Sequence, residues 1–305
     1  MKVHVLGCGP SSSVPDIRCL LNGVDCHVCQ EAYTDPSSKN NRGNPSILLH
    51  DEETQTGTLI DCGKTFRQST LKQLSLFQNV QIEHILLTHD HADACLGLDD
   101  IRDLQDWRQN TNISTGEVER HSASTISVHC NEMTMKSMQQ KFHYLFPKEK
   151  KIEENSNSNS SSIYRWVAEL EWKIFENVNW RHHIITACPV WHGDDYISLG
   201  YEIITKEGHR FVYLSDVSTI PKETEEKIIS GKTIKVLMID CLSLAQTHGT
   251  HLNMKQAIDI VRRWKPEQTY LTGMGHSMDY STVNTTLLKE ELHIEMAYDG
   301  MSFSV

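Results

Sequence analysis

Residues 88–93 of the 305-residue chain read Thr-His-Asp-His-Ala-Asp and place three potential metal ligands, His89, His91 and Asp93, within five positions. Alternate residues of an extended segment share a face, so the two imidazoles can converge on one ion while Asp93 turns toward a neighbouring position. Two more candidates follow, His192 in Pro-Val-Trp-His-Gly and Asp216 in Tyr-Leu-Ser-Asp. Three neutral nitrogens and one carboxylate suit zinc, manganese or iron. An ion held this way lowers the pKa of a bound water toward about 7, giving a metal-bound hydroxide that can attack phosphorus or a carbonyl carbon. A different group occurs near the start, where Cys26-His27-Val28-Cys29 follows Cys19. Thiolates at this spacing are typical of closed tetrahedral structural zinc centres, which need a fourth ligand from elsewhere.

These residues need elements to carry them. Val3 to Leu6 reads as a first strand running into a glycine turn, with further strands at Ser46 to Leu49 and Thr58 to Ile60. A helical stretch near Thr65 to Phe77 precedes the apolar run Ile82 to Leu87, which leads directly into His89 and His91. Ser127 to His129 reads as a strand and Asn131 to Leu145 as a helix. Ile184 to Pro189, Tyr201 to Thr205, Phe211 to Leu214 and Val236 to Ile239 read as strands, the last two each followed by an Asp. Met254 to Trp264 has helical periodicity closed by Pro266, before a strand at Gln268 to Thr272. Strands alternating with helices, and no repeat period, predict a layered α/β domain over residues 1–305. Residues 148–162, KEKKIEENSNSNSSS, lack core-forming side chains and are expected to be a flexible surface insertion.

Composition narrows the class. At 38% hydrophobic and 23% charged the chain has enough apolar material for a core. A formal charge of -11 argues against broad capture of nucleic acid or an anionic membrane. No extended basic arm of the kind a tRNA-processing nuclease would use is present. No apolar run reaches membrane-spanning length and the start lacks a signal-peptide pattern. Nine cysteines are an odd number in a chain too large to need a disulfide framework, and with seventeen histidines they point to thiol or metal roles in a reducing compartment, cytoplasmic or nuclear.

The ordered set of Thr-His-x-His-x-Asp, a later Pro-x-x-His-Gly and a later strand ending in Ser-Asp resembles the metallo-β-lactamase superfamily. Leu6-Gly7-Cys8-Gly9-Pro10-Ser11-Ser12, Ile60-Asp61-Cys62-Gly63, Gly97 to Arg102 and Leu271-Thr272-Gly273-Met274-Gly275-His276 look like its branch of PhnP-type cyclic phosphodiesterases. The likeness covers nearly the whole chain apart from the insertion and parts of Arg108 to Ser124. It implies an αββα sandwich, two mixed β-sheets flanked by helices, with Asp216 able to bridge two ions. It also implies a zinc held by Cys19, Cys26, Cys29 and His276, with His27 and His293 as other fourth ligands, in a loop that serves folding and a homodimer contact. Asp240 and His251 take the place of the family's Asp–His dyad, with His248 as an alternative proton donor. Two departures fall on the second metal site: Ala94 and Gly273 stand where family members carry histidines. One firm active-site ion, zinc or manganese, and a weak or absent second are therefore expected.

The expected activity is hydrolysis of a small, cyclic or linear, phosphodiester. The competing readings are a thioesterase, lactonase or glyoxalase-type hydrolase on the same scaffold, and a catalytically degenerate metal-binding protein. Asp61 is expected to support a ligand by a hydrogen bond, and Asp99 and Asp100 to favour the positive end of a helix. Arg42 and Lys64 are weak candidates for phosphate contact, and the pair His182-His183 suggests no ligand geometry.

Overall fold

The structure, a computed structural model, describes residues 1–105, 107–111, 118–122, 124–146, 167–290 and 292–305. The insertion expected at 148–162 lies outside the described residues. In chain order the strands are β1 (Lys2–Gly7), β2 (Ser46–Asp51), β3 (Thr56–Ile60), β4 (Gln81–Leu86), β5 (Trp107–Thr111), β6 (Val118–Ser122), β7 (Ile126–Cys130) and β8 (Leu170–Ile174). The second half adds β9 (Val178–Trp180), β10 (His183–Trp191), β11 (Ile197–Ile204), β12 (Arg210–Leu214), β13 (Val236–Asp240), β14 (Gln268–Thr272), β15 (Ile294–Met296) and β16 (Ser302–Ser304). One sheet runs β16-β1-β2-β3-β4-β7-β8 and the other β15-β14-β13-β12-β11-β10-β9, while β5 and β6 form a separate hairpin. Both sheets are mixed: β3, β4, β7 and β8 are parallel, as are β12 to β15, and the remaining pairs are antiparallel.

Strand alternation explains the layering. Ile47 and Leu49 of β2, Ile60 of β3 and Leu86 of β4 face the second sheet and share a core with Ile185, Tyr201 and Phe211. Their neighbours Leu48, Leu59 and Ile85 point the opposite way, onto Phe66, Leu98 and Met138 of the outer helical segments. Period-two alternation of apolar side chains with both faces covered makes this sheet an inner layer. On the other side the helix Met254–Trp264 buries Ala257, Ile258, Ile260, Val261 and Trp264. The result is the αββα sandwich expected from the sequence. No helix among the described residues is long and apolar enough to cross a membrane.

The topology sends chemistry to one edge. Asp61 follows β3, His89 and His91 follow β4, His192 follows β10, Asp216 follows β12, and Asp240 ends β13. Open sheets gather ligands outside the carboxyl ends of their strands, where the chain leaves the sheet with backbone and side chains free to turn inward. Asp61 and Asp216 turn sharply there, with φ of 58° and 55°. Short polar side chains tolerate this left-handed region better than bulky ones.

The loop carrying His276 is fixed from below by Arg42. This guanidinium is buried, and it donates to the carbonyls of Gly275 at 3.0 Å and Met278 at 2.6 Å and to Asn40 Oδ1 at 2.7 Å. It is a clamp on backbone, not a phosphate contact, which corrects the weak candidacy given to it above. Lys64 likewise donates to the Ser11 carbonyl. Arg42→Met should leave the buried Met278 carbonyl without a donor, cut that of Gly275 to the Met278 N–H alone, and lower stability by about 3 kcal/mol, read as a reduced urea midpoint with an unchanged slope.

Candidate metal centre

Two imidazoles are prepared as neutral ligands. Thr88 donates its hydroxyl to Asp61 Oδ2 at 2.7 Å and its backbone N–H to Asp61 Oδ1 at 2.8 Å. With that proton committed, the Thr88 oxygen accepts from His89 Nδ1 at 2.8 Å, so the lone pair of His89 lies on Nε2. His192 donates from Nδ1 to the Thr250 carbonyl at 2.9 Å, which again leaves Nε2 free. Burial pushes His89 down to about 3 and lowers His192 as well, so both stay unprotonated at neutral pH. Asp61 therefore acts as expected, through one intermediate residue that the sequence reading passed over although Thr88 adjoins the motif.

The ligating atoms of His89, His91 and His192 lie within 4.8 Å of one another, and those of His192, Asp216 and His251 form a second such group. His89 Nε2 and Asp93 Oδ1 are buried 3.9 Å apart, and neither has a hydrogen-bond partner. Unsatisfied buried polar atoms are costly. Burial and the charge of Asp216 together raise the Asp93 pKa, the response of a carboxylate that lacks a neighbouring cation. The orphaned lone pairs of His89 Nε2 and Asp93 Oδ1, beside the clustered nitrogens of His91 and His192 and with Asp216 grouped to His192, fit a divalent ion at this cluster.

Gly273 and Ala94 adjoin this cluster. Gly273 has φ of 73°, and a Cβ there would lie 2.4 Å from Asp240 Oδ1. The Asp240 carboxylate thus occupies the space that a side chain at 273 would need. Asp240 is fully buried and takes the Leu252 N–H at 3.1 Å and His251 Nδ1 at 3.1 Å. The remaining ring nitrogen, His251 Nε2, sits 4.0 Å from Asp216 Oδ1. Burial works to lower the pKa of His251 but is outweighed by the charge and hydrogen bond of Asp240 and the charge of Asp216, which hold it at about 9. His248 is exposed, with its ring 5.2 Å from that of His251. A cavity of about 390 Å³ runs from His251 and His248 past Ser11, Ser12 and Gln246 to His276.

At the far end of that cavity the sulfurs of Cys19, Cys26 and Cys29 and a ring nitrogen of His276 lie within 4.8 Å of one another. Cys19 and Cys26 approach His276 Nδ1 at 3.2 and 3.4 Å. Cys29 accepts the Asp16 N–H, and burial pushes its thiol up to about 12. A three-sulfur, one-nitrogen set fits zinc, which binds the thiolate form. Of the other fourth-ligand candidates, His27 pairs with Glu31 on the surface at 3.3 Å. Cys26→Ser should release one zinc per chain and lower the melting temperature by several degrees or more, while the remaining folded fraction keeps most of its turnover; differential scanning calorimetry with metal analysis checks this.

Some residues fall elsewhere. His183 is buried on β10 and faces Asp51 at 3.6 Å, so the histidine pair is structural at one member. Asp99 accepts the Tyr144 hydroxyl at 3.0 Å within a 3₁₀ segment, Leu96–Leu104. Tyr196, not singled out in the sequence, lies against the histidines with its ring 4.9 Å from that of His91.

A family model described as the beta-lactamase superfamily domain matches residues 56–274. Among solved structures, a diphosphatase from the PhnP family is 25% identical, with all of this chain and 97% of that one covered and a TM-score of 0.73. Zinc-bound PqqB from Methylobacterium extorquens is 13% identical with complete coverage of both chains and a TM-score of 0.69, a likeness of fold. An octanoyltransferase of Porphyromonas gingivalis is 24% identical over 304 residues, 99% of this chain and 51% of that protein. The chain spans about half the length of this curated relative.

Proposed function

This chain belongs to the metallo-β-lactamase superfamily, and from that premise we propose that it is a phosphodiesterase that cleaves a small phosphodiester, with His251 as proton donor to the leaving group. The observation that carries this reading is the Asp240–His251 pair placed against the histidine cluster. Attack on a carbonyl can proceed without such a donor until the tetrahedral intermediate collapses, whereas an alkoxide leaving phosphorus needs its proton as the bond breaks.

When bound, zinc or manganese at His89, His91, His192 and Asp216 supplies Lewis acidity and makes water acidic enough to ionise near neutral pH. Asp93 and Asp216, with Ala94 and Gly273 adding no ligands, support one tight ion and a weak second. Asp61 and Thr88 fix the tautomer of His89, and the Thr250 carbonyl fixes that of His192. Asp240 holds the Nδ1 proton of His251, so the proton on Nε2 passes to the departing oxygen as the phosphorus–oxygen bond breaks. The cavity that reaches His276 accommodates the leaving group. The similarity to a PhnP-family diphosphatase supports phosphorus over carbon as the centre attacked.

A substrate panel tests the reading on protein loaded with zinc or with manganese. Bis(p-nitrophenyl) phosphate, a 2′,3′-cyclic nucleotide and a diphosphate diester are set against a thioester, a lactone and an aryl ester. Turnover of phosphodiesters with no acyl cleavage is expected; acyl cleavage alone would establish the carbonyl hydrolase, and no turnover at full occupancy the non-catalytic protein.

A further inference from the structure

We propose that Tyr196 is the positioning residue for His91, doing by ring stacking what hydrogen bonds do for the other two imidazoles; this rests on the reading of His91 as a metal ligand. Ligating histidines need their second nitrogen or their ring face held, because a freely rotating imidazole spends little time in the ligating orientation. His89 is held by Thr88 and His192 by the Thr250 carbonyl. His91 is exposed, the other two are buried, and among the described residues its ring has no hydrogen bond. Its face is covered by Tyr196, with centroids 4.9 Å apart and planes inclined by 24°, while the same phenol ring stands 6.1 Å from both His89 and His192.

The ring of Tyr196 is itself immobilised. Its hydroxyl donates to Asp90 Oδ1 and accepts the Asp90 backbone N–H at 3.2 Å, a two-point latch onto the residue between the two motif histidines. The other Asp90 oxygen accepts from the Ser137 hydroxyl and from Lys141 Nζ, the latter at 2.8 Å, so the latch is anchored on the helix Glu132–Lys141. The Tyr196 carbonyl takes the His192 N–H at 2.8 Å, which ties the same residue to the third ligand. Tyr196 therefore connects the loop after β4 to the β10–β11 turn, and the orientation of His91 follows from both.

Cobalt titration of the 305-residue chain, with its cysteine-site zinc retained, tests this, using visible d–d absorption and competition with a chelator. Tyr196→Ala should weaken cobalt binding at the histidine site by roughly 10- to 100-fold and alter the d–d bands, with the cysteine-site zinc retained. Tyr196→Phe keeps the stacked ring but loses both hydroxyl contacts to Asp90, so it should recover only part of the affinity. Asp90→Asn, which weakens one of those contacts and leaves the ring in place, should lose less than Tyr196→Phe, and Tyr196→Phe serves if Tyr196→Ala does not fold. A purely structural role would lower the melting temperature of these variants with wild-type cobalt affinity and spectrum, and that result overturns the proposal. His89→Ala separates the two layers. If it abolishes the cobalt spectrum while Tyr196→Ala does not change it, only the role of Tyr196 fails; if it leaves the spectrum intact, the metal-site reading fails and the proposal with it.

Discussion

His89→Ala should abolish phosphodiester hydrolysis and remove one ion per chain, while the zinc at Cys19, Cys26, Cys29 and His276 stays bound. His89 is the most buried of the three imidazoles, at 1% exposed, and its Nε2 is one of the two orphaned atoms that define the site. Without the ion, water reverts from a pKa near 7 toward its bulk value, so turnover should fall by about a thousandfold or more. The cut also leaves the Thr88 oxygen without its donor, although Thr88 still satisfies Asp61. Metal analysis alongside kinetics distinguishes this from misfolding: a variant that keeps the cysteine-site zinc and its cooperative unfolding but loses one ion and its activity behaves as expected. Full activity in that variant would remove His89 from the ligand set.

His251→Gln should act on chemistry without removing metal. For a diester with an alkoxide leaving group, turnover should drop by about 10²- to 10⁴-fold. For bis(p-nitrophenyl) phosphate, whose nitrophenolate departs without a proton, the loss should be small. The pH profile carries a sign. Asp240, by its charge and hydrogen bond, raises the pKa of His251, so the protonated donor is present below that pKa and is lost as pH rises through it. Wild-type turnover of the alkoxide substrate should therefore fall on the alkaline side, and Asp240→Asn, which removes the neighbouring charge, should move that fall to lower pH. The glutamine variant should lack the limb altogether. If His248→Gln shows these losses and His251→Gln does not, the donor is His248.

How much of this was legible in the sequence follows from where the signals are local. His89, His91, His192 and Asp216 each follow an apolar strand-like run, and the three strands expected before them exist with ends within a few residues. The three cysteines stand close together in the chain, so their grouping was readable, whereas the choice of His276 came from resemblance. Tyr196 carried no local signal: it follows the polar pair Asp194-Asp195, and its contact with His91 spans the two sheets. The buried role of Arg42 was equally hidden, because the backbone carbonyls it clamps are more than 230 residues away. β9, β15 and β16 have three residues each, too few to show alternation. The stretch read as one helix from Asn131 to Leu145 divides at Phe142, whose φ of -127° and ψ of 43° leave the helical region before a 3₁₀ turn.

The cysteine centre and the pairing of β1 with β16 share one property, large separation along the chain. Cys29 lies within 4.8 Å of His276 in the candidate cluster, and Lys2 pairs with Ser304. On a ribosome adding about 5–20 residues per second, the three thiols emerge some tens of seconds before the imidazole that would complete a zinc site with them. During that interval they are reactive, metal-hungry and incompletely caged, and β1 lacks one of its two neighbours. If that cluster takes zinc, zinc supply and protection from oxidation while the chain is still being made should consequently affect the yield of native protein as well as its stability.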